Sequence, residues 1–571
     1  MIFYHKSRKA IANFTLVSGL ISILAGVNST ISVEAQTPKQ VQTIAREITV
    51  RIDATTPGSG VIIAKRGSTY YVATARHVVA NPDQYTILTF DGGKYPVNAT
   101  SIKKFADVDL AVVTFVSDRN YRVATISSYL EQTYERRSYD DGKVFSGQAQ
   151  NQQQAIFVSG FPNPVVESDP PNRYVFNPGR IFGTSGSTIS DPSNRSEGYR
   201  LTYSNLTHIG MSGGAVLDAN GRLIGIHGRA DGQSRSGDQV VSRTLDEAKK
   251  TYRINFGNSL GIPIKTFLTL LPNTGLQIDL KIENSPPDSI ATSQLESWVP
   301  SIDADQRVNP IYWINRGNQY WRLGKLSESQ EAFKQAISLR NDLSQAWYAK
   351  GFVAGFNRNF DEALKNCDAA IQRDPKYYEA WRCKSGALYR LGKLSEAIEV
   401  LDRAIEINKQ ASTRTQALGR WRENPTDYTE RGEILFALGR ASESIASFDK
   451  AIEIDSEMVS PWANRAFVQI MTQDFNGAEA SINKALAIDA NYAPAWANKG
   501  LLLNKRRLYL ESLAAFDTAI KLNDRDPEIW LNRGVTLYEL KRSSDAIQSI
   551  RKALEIDPNY APAQEALKQL T

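Results

Sequence analysis

Ile209-Gly210-Met211-Ser212-Gly213-Gly214-Ala215-Val216 sets a serine between glycines and runs straight into an apolar stretch. Glycine tolerates positive φ and leaves neighbouring N–H groups uncovered. The amides of Gly210 and Ser212 could therefore face one point and hold an oxyanion, although a glycine-rich turn with no chemistry reads the same way. A serine hydroxyl is a weak nucleophile. It needs a neutral imidazole to take its proton and a carboxylate to fix the tautomer of that imidazole. The chain of 571 residues holds 4 histidines, so the imidazole must come from His5, His77, His208 or His227. His77 ends the apolar run Tyr71-Val72-Ala73-Thr74-Ala75-Arg76-His77. Between it and the serine, Asp107-Val108-Asp109-Leu110-Ala111-Val112-Val113 offers two acids at the mouth of a buried strand.

Outward from these motifs, residues 41–271 read as short β-rich runs between Gly, Asn, Asp and Pro turns. The expected strands are Glu47–Ile52, Gly60–Ala64, Tyr70–Ala75, Tyr85–Phe90, Leu110–Val116, Ala155–Ser159, Tyr199–Tyr203, Gly214–Leu217 and Leu223–His227. Such spacing implies a sandwich or barrel. Two polar stretches interrupt the pattern, Ser117–Gln154 and Pro162–Gly198, and the first reads as the connection between two sub-barrels. Leu276–Asn309 is rich in Pro, Ser and Asp and reads as a linker between separable halves.

Beyond the linker the sequence repeats. Gly317, Gly351, Ser385, Gly432, Ala466, Gly500 and Gly534 stand 34 apart, save one step of 47. An aromatic precedes each by four: Trp313, Trp347, Trp381, Tyr428, Trp462, Trp496 and Trp530. Ala336, Ala370, Ala404, Ala451, Ala485, Ala519 and Ala553 hold a second register. Phe333, Phe448 and Phe516 hold a third, shared by Cys367. This period resembles the tetratricopeptide repeat, two antiparallel helices per unit with small residues where they cross. Seven repeats are expected over 310–571, with an insertion near Gln410–Asn424 and a capping helix Ala561–Leu570. Cys367 reads as a small core residue. A bond from it to Cys383, the one other cysteine, is an alternative suited to an oxidising compartment.

The order His77, Asp109, Ser212, at spacings of 32 and 103 residues, resembles the chymotrypsin-fold serine peptidases, and their bacterial members most. Thr74-Ala75-Arg76-His77, Asp109-Leu110-Ala111-Val112 and Gly210-Met211-Ser212-Gly213-Gly214 carry the likeness. The resemblance implies an all-β domain of two six-stranded barrels over about 36–275, followed by the all-α solenoid. It makes His77 general base and then acid, Asp109 its orienting partner and Ser212 the nucleophile. The amides of Gly210 and Ser212 become the oxyanion hole. Asp107 then becomes a solvated turn acid, because in the family the acid directly precedes the apolar strand. Met211 replaces the aspartate that pairs with a freshly cut N-terminus in animal members, so that activation switch is absent. In this fold the pocket for the residue before the scissile bond lies between Leu206-Thr207-His208-Ile209 and Ile224-Gly225-Ile226-His227-Gly228, which hold no carboxylate. Thr207, five before the serine, and His227, fifteen after it, resemble the glutamate-binding pair of the bacterial glutamyl endopeptidases. His208 reads as a loop residue beside that pocket.

Residues 1–35 run from a basic start through the apolar stretch Ala10–Val27 to Val33-Glu34-Ala35, the order of an export signal cut after Ala35, though an uncleaved anchor reads similarly. The mature protein is then expected in the periplasm or outside the cell, with no membrane span. Lys+Arg 67 against Asp+Glu 61 gives +6, too diffuse a charge to point to nucleic acid. No cofactor and no metal are expected. The expected ligands are protein or peptide substrates for the first half and a protein partner on the solenoid. The competing reading is an inactive peptidase-fold platform on which the repeats do the work.

Overall fold

The computed structural model describes residues 38–571 except 56, 82, 130–153, 164–172, 184–197, 209, 231–255, 257–258, 291–294, 296–306, 417–422 and 571. The expected export signal, 1–35, lies outside the described residues. Among the described residues no helix is long and apolar enough to cross a membrane.

The first half opens on helix α1 (Pro38–Ile48), where a strand was expected to begin at Glu47. Val41, Ala45 and Ile48 are buried on one face at helical spacing, so the strand signal starts only at Thr49. Seven strands follow in one sheet, β1 (Thr49–Asp53), β2 (Gly58–Arg66), β3 (Thr69–Ala75), β4 (Thr86–Leu88), β5 (Lys94–Pro96), β6 (Lys103–Lys104) and β7 (Leu110–Val116). Their order is β5-β4-β1-β2-β3-β7-β6, an open sheet among the described residues rather than a closed barrel of six. Successive strand side chains point to opposite faces. Ile62, Val72, Ala111 and Val113 accordingly share one face of this sheet and one core. Val61, Ile63, Ala73, Leu110 and Val112 face the second sheet and share a core with Phe157, Leu217 and Leu223.

The second sheet contains β8 (Thr125–Ser127), β9 (Ala155–Gly160), β10 (Val175–Gly183), β11 (Leu201–Tyr203), β12 (Ala215–Leu217), β13 (Leu223–Ala230), β14 (Ser259–Pro263) and β15 (Lys281–Glu283). Strand β12 pairs with both β9 and β13, which closes six strands into a barrel, and β8 and β15 extend it from β13. Four of these strands, β8, β10, β14 and β15, escape the sequence pattern. Pro178 and Gly179 mask β10 inside a segment expected as an interruption. The residues of β15 are all exposed and carry no alternation, yet it pairs in parallel with β8 inside the expected linker. Arg222 holds that segment through Ser285, and Leu295 enters the core between the sheets. A helix α2 (Ile264–Leu270) follows β14.

The repeats form seven antiparallel helix pairs among the described residues. They are α3 and α4 (Pro310–Arg322, Leu326–Leu339), α5 and α6 (Ser344–Phe356, Phe360–Arg373), α7 and α8 (Tyr378–Arg390, Leu394–Gln416), and α9 and α10 (Pro425–Ala437, Ala441–Ile454). Then come α11 and α12 (Val459–Met471, Phe475–Ile488), α13 and α14 (Ala493–Lys505, Tyr509–Leu522), α15 and α16 (Pro527–Glu539, Ser543–Ile556), and the cap α17 (Ala561–Leu570). The expected insertion begins as an extension of α8. The small register has a steric cause. A Cβ added at Gly317, Gly432 or Gly500 would come within 2.5, 2.5 or 2.8 Å of the ring of Phe333, Phe448 or Phe516. Gly351 and Gly534 meet Cys367 and Ile550 in the same way at 2.7 Å, and Ser385 and Ala466 hold the small position opposite the Leu401 and Ile482 register, so the demand is for a small residue rather than for glycine alone. Cys367 is buried in this register but is bonded to Cys383, so α6 and α7 are covalently tied.

A second periodic device joins neighbouring repeats. Lys384, Arg431, Arg465 and Arg533 reach back to Asp368, Asp402, Asp449 and Asp517 of the preceding repeat at 2.5–2.7 Å. At the same registers stand Lys499 and Asn483, where no ion pair forms and the ammonium lies 4.9 Å above the Trp496 ring. Asn483→Asp should complete this ladder. Exposed pairs contribute about 0.2–1 kcal/mol, so the melting of the helical signal should move up slightly at low salt and return towards wild type at high salt. An unchanged or lowered melting temperature at low salt contradicts the ladder.

Candidate active site

His77 sits on a single 3₁₀ turn, Arg76–Val79, that ends β3. Pairing of β3 with β7 brings Ala75 opposite Leu110, which sets the turn beside Asp109. The carboxylate of Asp109 is 2% exposed. Its Oδ1 accepts from the His77 backbone N–H at 2.8 Å, and its Oδ2 lies 2.6 Å from His77 Nδ1. Asp107, by contrast, is an exposed turn residue with φ 59° and no link to His77.

Two residues missed in the sequence complete the setting of Asp109. Tyr199 donates its hydroxyl to Oδ2 at 2.6 Å, and Arg229 donates at 3.2 Å. Tyr199 can come so close because residue 228 is glycine: a Cβ there would lie 2.0 Å from the Tyr199 ring. Burial alone would raise the Asp109 pKa. His77, Arg229 and Tyr199 outweigh it and hold the carboxyl well below the usual carboxylate range. Burial, and then the Asp109 charge, push the Tyr199 phenol well above its ordinary value, so it remains a donor.

The serine loop is braced from the first sheet. Ser59 on β2 donates its backbone N–H to Ser212 O at 2.7 Å and its hydroxyl to Gly210 O at 2.9 Å. Phe161 N–H donates to the same hydroxyl. Gly213 adopts φ 88°, and a Cβ there would lie 2.0 Å from Ser59 O. The amides of Met211, Gly213 and Gly214 are taken by His208 O, His227 O and Met211 O. Those of Gly210 and Ser212 have no acceptor among the described residues, and Gly210 has φ 95°. The Met211 side chain is buried in the second barrel. The Ser212 hydroxyl donates to Gly228 O at 2.6 Å rather than to His77.

Thr207 and His227 are brought to the same region but bond to different partners. His227 is buried, and its Nδ1 lies 2.7 Å from the Tyr203 hydroxyl, which itself donates to Leu260 O. With that proton committed, Nδ1 carries the hydrogen and Nε2 presents a lone pair, a tautomer read from the hydrogen bonds. Burial pushes the His227 pKa down to about 3. The Thr207 hydroxyl lies 2.9 Å from Ser259 Oγ, whose own proton goes to Asn205 O, so Thr207 is the donor there. His208 is pushed down to about 4, first by burial and then by Arg173 and Arg322. No cluster of His, Cys, Asp and Glu suited to a metal occurs among the described residues.

Comparison with known proteins agrees with this division. Residues 58–226 match the model of the trypsin-like peptidase domain. Residues 311–343, 348–412, 428–458 and 497–561 match models of the tetratricopeptide repeat. The chain thus carries a trypsin-like peptidase domain followed by tetratricopeptide repeats. A curated relative, the tetratricopeptide repeat-containing protein trd-1 of Caenorhabditis elegans, is 24% identical over 134 residues, 22% of this chain and 17% of that protein. The match therefore spans under a fifth of the relative. Among solved structures, a tetratricopeptide repeat protein from Parabacteroides merdae is 15% identical with TM-score 0.40, over 46% of this chain and 98% of that one. The APC/C hetero-tetramer Cut9-Hcn1 is 16% identical with TM-score 0.36, over 46% and 53%.

Asp109 supplies a pH test. A carboxylate with a depressed folded pKa contributes stability that is complete above its unfolded value, about 3.9, and is lost as pH falls towards the folded pKa. Asp109→Asn should therefore lower the melting temperature at neutral pH, with the gap to wild type narrowing at about pH 3. A gap that stays constant or widens on acidification contradicts the assigned environment.

Proposed function

We propose that the chain is an exported serine endopeptidase that cleaves peptide bonds with His77, Asp109 and Ser212, and that its repeats bind protein partners or substrates. The observation that carries this reading is that, among the described residues, the amides of Gly210 and Ser212 have no acceptor while those of Met211, Gly213 and Gly214 are committed. In the reaction the Ser212 hydroxyl rotates off Gly228 O towards His77 Nε2. Oγ attacks the carbonyl carbon as Nε2 takes its proton, and the carbonyl oxygen becomes an anion between the two amides. Asp109 keeps the Nδ1–H tautomer and stabilises the imidazolium. His77 then protonates the leaving amine. Water repeats the cycle on the acyl-enzyme. Export is supported by the basic-apolar-small order of 1–35 and by the Cys367–Cys383 bond, since disulfides persist in oxidising compartments.

The second reading, an inactive platform, is favoured by one contact, the Ser212 hydroxyl on Gly228 O. Casein separates the two. Full-length protein should cleave it, and Ser212→Ala or His77→Ala should lose about 10³-fold or more. Asp109→Asn should be severe and worse than Asp107→Asn. Absence of cleavage by wild type, or cleavage undiminished in both alanine variants, sinks the peptidase reading.

A preference for glutamate before the scissile bond belongs to the same proposal and is proton-linked. Neutral His227 offers a lone pair to a carboxylate, so a bound glutamate must recruit a proton, which its own charge favours. Thr207 must also turn from Ser259. The kcat/KM ratio of Glu to Gln substrates should therefore rise as pH falls from about 8 to about 5, short of protonating the substrate near 4.3. A ratio that is flat or falls towards pH 5 contradicts the His227 role, and His227→Ala should abolish the trend.

A further inference from the structure

The last turn of α3, in the first repeat, lies against the segment that leads to Ser212. Arg322 is 6% exposed. One of its guanidinium nitrogens donates to Ser204 O and Asn205 O, each at 3.2 Å, while Nε donates to Asn318 Oδ1 at 3.1 Å. One turn earlier, Gln319 reaches Asn177, whose amide donates to Leu206 O at 2.6 Å. The same Asn205 carbonyl accepts from Ser259 Oγ, the partner of Thr207. A continuous run of hydrogen bonds thus joins Arg322, Asn205, Ser259 and Thr207. The docking is apolar as well as polar. Phe256, from the peptidase half, enters the core of the first two repeats, stacked on Phe352 at 4.4 Å and edge-on to Trp321 and Phe333.

We infer that Arg322 is a positioning residue for substrate specificity: the first repeat fixes the pocket wall 204–207 of the peptidase and is a working part of it rather than a tethered module. This rests on the peptidase reading above. The geometry explains why. Strand β11 ends at Tyr203, so the Ser204 and Asn205 carbonyls have no strand partner, and a buried guanidinium gives both a charge-assisted donor, at Asn205 O beside that of Ser259 Oγ. Wall and helix then move together. Removing the guanidinium frees Asn205 O to draw Ser259 away from Thr207. The catalytic turn at His77 and the Ser59 brace lie on the first sheet and share none of these bonds. Pocket selection should change while the reacting groups stay in place.

The test uses the full chain and peptide anilides that differ only in Glu, Gln or Val before the scissile bond. The burst of nitrophenol from a nitrophenyl ester counts competent Ser212 sites independently of the pocket. Arg322→Ala should keep the burst amplitude and compress the best-to-worst kcat/KM ratio of the three anilides by about tenfold or more, mainly through KM. Arg322→Lys, which keeps a donor with shorter reach, should restore part of the ratio. Gln319→Met, near-isosteric and without the contact to Asn177, should compress it by a smaller factor and serves should Arg322→Ala fail to fold. A ratio within twofold of wild type in the folded variants overturns the inference while the peptidase stands. A wild-type chain with no burst and no anilide cleavage overturns both.

Discussion

Ser59 is the residue on which the arrangement turns. It belongs to the first sheet, yet its N–H and hydroxyl hold the carbonyls of Ser212 and Gly210 in the second, and its own carbonyl accepts from Thr74, three residues before His77. One short side chain between two glycines therefore ties the base-bearing strand to the nucleophile-bearing loop. Ser59 takes the Gly210 and Ser212 carbonyls, while the amides of residues 210 and 212 have no acceptor among the described residues. Buried amides without acceptors are costly. Under the proposed function the transient anion of the reaction supplies the acceptor these amides lack.

The acid of the site is more heavily bonded than its motif suggests. Tyr199 and Arg229 join His77 around Asp109, and Gly228 exists as glycine to admit Tyr199. Three residues supply four donors that anchor the carboxylate in position, which fixes the ring of His77 through Nδ1. They also spread its charge over several partners. The same strand β13 carries His227 two residues before Arg229, so under the proposed function one strand would serve both orientation of the base and selection of the substrate.

Much of this was legible in the sequence, for reasons that differ by region. The solenoid could be read because each repeat meets the same steric demand, a small residue where its two helices cross, at steps of 34 residues save one of 47. His77, Asp109 and Ser212 could be read because each ends or opens an apolar strand. What escaped was set by tertiary contact. Strand β15 has no buried face to write a period. Strand β10 is broken in composition by Pro178 and Gly179 though continuous in space. Tyr199 and Arg229 look like ordinary strand residues until the fold brings them 90 and 120 positions back to Asp109. Arg322 lies in a repeat whose period accounts for its helix and says nothing of its partner. The cysteine register fitted a core residue, and the bond to Cys383 adds a tie that the periodicity did not require.

The central claim is that Ser212 is an activated nucleophile beside an open oxyanion hole, and covalent trapping measures it directly. Full-length protein treated with a biotinylated aryl phosphonate should carry one adduct, mapped by peptide mass spectrometry to Ser212 and lost when the chain is unfolded in urea before treatment. An adduct on another residue, equal labelling of the unfolded chain, or no adduct on the folded protein would contradict the account.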